Sequence, residues 1–109
     1  MKSKTLYNYR DSEIHINIVA YFEGEYLVID GCDRGEKVKA YWGDSDYEYL
    51  VKIPPEGVRM LRIECACEHT DQDVFLDHLA ARYASASCYS DIRDLMERNN
   101  IPCEGFTWI

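Results

Sequence analysis

Nowhere does this chain run apolar for the roughly 20 residues that a membrane-spanning helix needs. Met1-Lys2-Ser3-Lys4-Thr5 carries two lysines with no apolar stretch behind them, so no secretory signal is expected and a cytoplasmic location is. Basic residues are scarce: 12 stand against 20 acidic ones, for a net charge of −8 and a pI near 4.7. Such a surface repels phosphate backbones and anionic lipid, so neither nucleic acid nor membrane is expected as a partner. The G-x-S-x-G elbow, the P-loop and G-x-G-x-x-G are all missing. Gly31 to Gly35 even carries aspartates where a phosphate would sit. No catalytic residue and no cofactor is therefore assigned.

What is present is a globular balance. Hydrophobic residues make up 47% and charged residues 29% of 109 residues, enough apolar surface for one core, so 1–109 is read as a single domain. Five cysteines, Cys32, Cys65, Cys67, Cys88 and Cys103, are an odd number and suit reduced thiols. Cys65-Ala66-Cys67-Glu68-His69 has C-x-C spacing and no second cluster, which does not meet the spacing of a structural zinc site.

The first half reads as strands. Ile14, Ile16 and Ile18 alternate with His15, Asn17 and Val19, Tyr21-Phe22 continues the run, and Glu23-Gly24 breaks it before Glu25 to Ile29 resumes it, as in a hairpin. Asp30 to Gly35 reads as loop, Val38 to Trp42 as a short strand or irregular segment, and Gly43 to Asp46 as a turn. Tyr47 to Ile53 is a further strand with Tyr47, Tyr49, Val51 and Ile53 on one face. Residues 56–67 fit two patterns: Val58, Leu61 and Cys65 recur as on a helix, while Leu61, Ile63, Cys65 and Cys67 alternate as in a strand. Pro54 and Pro55 favour the helix.

The second half reads as helical. Thr70 is the expected cap of a helix whose inner face is Phe75, Leu76, Leu79 and Tyr83. Ser87 or Ser90 caps a last helix that buries Ile92, Leu95 and Met96 and stops at Asn99-Asn100, before Pro102. The tail from Gly105 to Ile109 is apolar to its last residue and is expected to dock on the sheet or core as a strand. The fold class is α+β: an N-terminal antiparallel sheet, then two or three helices packed on one face.

Nine tyrosines and two tryptophans make the chain rich in aromatics, and they crowd one segment. Tyr41-Trp42 abuts Gly43-Asp44-Ser45-Asp46-Tyr47-Glu48-Tyr49. Asp44, Asp46 and Glu48 have the spacing of the first ligands of a calcium loop. The required glycine and glutamate are replaced by Tyr49 and Pro55, so an EF-hand is excluded. As a recognition patch, tyrosines offer large contact area at low entropy cost and carboxylates suit a basic partner. The candidate binding residues are Trp42, Asp44, Asp46, Tyr47, Glu48 and Tyr49. A plain turn beside a sheet is the alternative. A second acidic stretch, Glu64, Glu68, Asp71, Asp73 and Asp77, reads as a solvated helix start.

The segment Gly43 to Tyr49, followed by a proline-opened segment and the tail Ile101-Pro102-Cys103-Glu104-Gly105-Phe106-Thr107-Trp108, resembles a group of small uncharacterised bacterial proteins. Their small acidic form is in turn similar to that of immunity proteins of bacterial toxin systems. The resemblance implies a non-enzymatic protein-binding module that meets a basic toxin through an acidic, tyrosine-rich surface, with a homo-oligomer also permitted. The competing reading is a small enzyme or ligand-binding domain with a pocket between sheet and helices, in which Cys88, His78 and the same carboxylates would act.

Overall fold

The computed structural model describes residues 3–43 and 45–108. Five strands form one antiparallel sheet in chain order: β1 (Ser3–Arg10), β2 (His15–Glu23), β3 (Tyr26–Arg34), β4 (Asp46–Ile53) and β5 (Glu104–Trp108). The helix α1 (Glu36–Trp42) bridges β3 and β4, and α2 (Pro55–Glu64), α3 (Gln72–Arg82) and α4 (Cys88–Arg98) fill the chain between β4 and β5. This is the α+β architecture expected from the sequence. Among the described residues, no helix is long and apolar enough to cross a membrane.

Strand alternation decides where the core sits. Ile18, Ala20 and Phe22 of β2, Leu27 and Ile29 of β3, and Val51 and Ile53 of β4 form the sheet side of one buried cluster. The helices close it with Val58 and Leu61, then Phe75, Leu76 and Leu79, then Cys88, Ile92 and Met96. Each such Leu, Ile or Phe contributes about 1.5–3 kcal/mol by leaving water. The Gly24 turn joins β2 to β3 as read, and residues 55–64 are helical, as the prolines indicated.

Three local expectations are corrected. Asp30 to Arg34 is not loop but the second half of β3, because it is paired on both sides: Asp30 opposes Val19 and Leu50, and Asp33 opposes Ile16 and Tyr47. Val38 to Trp42 is helix rather than strand. Val38 alone is buried in it, and Gly43 closes it in the left-handed conformation with its N–H on the Lys39 carbonyl at 2.9 Å. The cap of α3 is Asp71, whose carboxylate accepts from the Val74 N–H at 2.8 Å. Thr70 instead donates its hydroxyl to the Cys67 carbonyl at 2.8 Å. The tail joins the sheet as a strand on the β4 edge, with Phe106 41% exposed; Ile109 lies outside the described residues.

β1 received no reading from the sequence. Its register against β2 slips between Thr5 and Tyr7, which breaks the alternation and turns Leu6 inward.

Candidate functional site

The β3–α1–β4 connection carries Trp42 back over the start of β4. Trp42 stacks on Tyr47 with ring centroids 4.7 Å apart and 20° between planes. Tyr47 meets Tyr49 at 5.4 Å, and Tyr49 meets Tyr89 of α4 edge-on at 4.8 Å. Tyr41 adjoins the outer end, 6.2 Å from Trp42. The run is graded from open to covered: Tyr41 is 86% exposed and Trp42 46%, while Tyr47, Tyr49 and Tyr89 are half-buried. Offset and edge-on pairs of this kind add about 0.5–1.5 kcal/mol beyond the area they bury, so the rings hold one another in place.

The inner rings line a cleft of about 550 Å³ between the sheet and α4, shared with Asp33, Arg93 and Phe106. The Tyr49 hydroxyl donates to Asp33 Oδ1 at 2.9 Å. Burial pushes the Tyr49 hydroxyl up strongly, and its bond to Asp33 adds to the rise, so it stays protonated. Desolvation also raises the Asp33 carboxyl, with the Tyr49 bond pulling it partly back. Arg93 donates from Nη1 to the Tyr89 hydroxyl at 3.3 Å, and its guanidinium carbon stands 5.9 Å from that ring's centroid.

The six candidate residues do not form one patch. Trp42, Tyr47 and Tyr49 lie together on the helix side of the sheet. Asp46 and Glu48 alternate with the two tyrosines and so fall on the opposite face. There Asp46 lies 3.7 Å from Arg34 Nε, and Glu48 shares a shallow groove with Asp30, Cys32 and Arg34. Burial, then the charge of Glu48, raises the Asp30 carboxyl. Asp44 lies outside the described residues. The carboxylate that meets the tyrosines is Asp33, which the sequence reading had placed in a loop. Tyr89 and Arg93 were also overlooked. Their i, i+4 spacing put them on one face of α4, but only the fold brings that face to Tyr49.

The residues named for an enzyme fare differently. Cys88 is 0% exposed and burial pushes its thiol up, the reverse of the exposed, lowered-pKa setting of a reactive cysteine. His78 sits on α3 with Nε2 buried and without a hydrogen-bond partner. Among the described residues, no group of three or more His, Cys, Asp or Glu side chains is arranged to hold a metal ion. Cys65 and Cys67 are packed thiols: Cys67 Sγ donates to the Cys65 carbonyl at 3.3 Å, and Cys65 Sγ accepts from Arg82 at 3.6 Å.

No family model matches this chain, and neither a curated protein nor a solved structure matches it.

Proposed function

We propose that the chain is a non-enzymatic binding module of the bacterial cytoplasm that meets a basic protein through the open end of the aromatic run, as an immunity protein meets its toxin. The observation that carries this reading is the graded stack itself. Tyr41 and Trp42 stand exposed, yet Trp42 is braced from behind by Tyr47 and, through it, by Tyr49 and Tyr89. A pre-ordered exposed aromatic loses little entropy on binding and serves as an anchor. The carboxylates of the opposite sheet face and the net charge of −8 supply attraction at a distance rather than contact.

The test is the product of the gene directly upstream, purified and titrated on immobilised protein. Nanomolar binding is expected, with an association rate that falls steeply with salt, because the Debye length shrinks from about 10 Å at 0.1 M to about 3 Å at 1 M. Trp42→Ala should speed dissociation, whereas Asp46→Asn with Glu48→Gln should slow association. Binding that Trp42→Ala leaves unchanged would remove the aromatic face from the interface.

The cleft favours a second reading, a ligand-binding domain with its pocket between sheet and helices. Its volume lies within the roughly 300–1,000 Å³ of small-molecule sites.

A further inference from the structure

Arg93 is held in an unusual way. It is half-buried, its Nη1 bonds to the Tyr89 hydroxyl, and it presses on the backbone of β5: a Cβ at Gly105 would stand 2.5 Å from Nη1. Glycine at 105 therefore leaves room for the guanidinium to lie over the strand. Among the described residues, no carboxylate forms an ion pair with Arg93. On an acidic chain, a cation that is partly removed from water and pairs with none of the described carboxylates is poised for an anion from outside.

We propose that the inner half of the cleft binds a monoanionic ligand with a carboxylate on a flat apolar body, Arg93 taking the carboxylate and the rings of Tyr49 and Tyr89 enclosing the body. This rests on the ligand-binding reading of the cleft and is independent of any protein contact at Tyr41 and Trp42. A planar guanidinium matches a carboxylate in a two-point fork. Ser90, one turn before Arg93 on α4, lines the same cleft and brings a hydroxyl that can donate to the carboxylate. Aromatic walls select a flat partner. A dianion such as a phosphate monoester is disfavoured, because Asp33 shares the cleft and the whole chain carries −8. Two sources present this chemistry: a free aryl-alkanoic acid, or the C-terminal aromatic residue of a peptide.

The experiment titrates the intact chain with four probes, followed by NMR of the Arg93 Nε–H and the Tyr49 and Tyr89 rings. The probes are 3-phenylpropanoate, its neutral amide, phenyl phosphate, and an N-acetylated tripeptide ending in phenylalanine. The carboxylate should bind about tenfold or more tightly than its amide. Arg93→Gln should erase that preference and Arg93→Lys should keep part of it. Gly105→Ala, which displaces the guanidinium while keeping every charge, should weaken the acid and leave the amide unchanged. The tripeptide binding better than the free acid assigns the peptide source, and the reverse assigns the small molecule. Equal binding of acid and amide overturns the Arg93 assignment while leaving the cleft a ligand site. No ring shift with any probe overturns both.

Discussion

The ring of Tyr49 fills the space that a side chain at Gly31 would need. The two residues oppose one another across β3 and β4, and a Cβ at position 31 would fall inside the edge of the ring. Glycine in mid-strand normally weakens a sheet. Here it is the seat of the inner aromatic run, and Tyr49 supplies the packing that residue 31 lacks.

Gly31→Ala should therefore destabilise by about 1–3 kcal/mol, the usual cost of overpacking. It should also turn Tyr49 away from Asp33. In a Tyr49→Ala background most of that cost should vanish. Urea melts of the four proteins of the cycle measure the coupling, and strictly additive effects would refute the relationship.

Stability should depend on pH through Asp33. Its carboxyl is pushed above the ordinary range by desolvation. A carboxyl whose pKa is higher folded than unfolded adds stability that is complete below the unfolded value and lost as pH rises through the folded one. Asp33→Asn still accepts from Tyr49 and has no charge to bury. Its melting temperature should exceed that of the parent at pH 7, and the gap should close as pH falls towards about 3.5, below the unfolded value. Parallel curves would show that Asp33 is not desolvated. Asp30→Asn should behave in the same way, since burial and Glu48 both raise Asp30.

Loss of the α3 cap should be measurable. Asp71→Ala removes the acceptor of the Val74 N–H and should cost about 1 kcal/mol in urea unfolding. Asp71→Ser should recover most of it, and an Asp71→Ala protein of parental stability would reject the cap.

All five cysteines are free thiols in the structure. Titration of unfolded, unreduced protein should find five, and three or fewer would contradict this. In the native protein the half-buried Cys32 and Cys103 should react first, and the buried Cys65, Cys67 and Cys88 only as the core opens.

Much of the fold was legible because local pattern and tertiary position agree. The β2–β3 hairpin announces itself through alternation and Gly24, and α3 through the spacing of Phe75, Leu76, Leu79 and Tyr83. The second half of β3 was not legible. Its core-side positions are Gly31 and Asp33, which look like loop until Tyr49 arrives from the next strand to cover both. The α1 helix failed for want of periodicity, having a single buried anchor in Val38. The split of the 41–49 segment is a different case. Once Tyr47 and Tyr49 share a face, Asp46 and Glu48 must take the other, so contiguity in sequence overstated contiguity in space. The cleft was beyond reach, since Asp33, Tyr49, Arg93 and Gly105 come from four separate elements.

The slip between Thr5 and Tyr7 has a consequence for assembly. A sheet polymerises only if it offers two flat, complementary borders, so that each added copy exposes a fresh template. One border of this sheet, β1, shifts register between Thr5 and Tyr7, whereas the other, β5, is regular throughout its five paired residues. Were two copies to join along β5, only the register-shifted β1 borders would stand outside, so backbone pairing would offer no second regular edge for further growth.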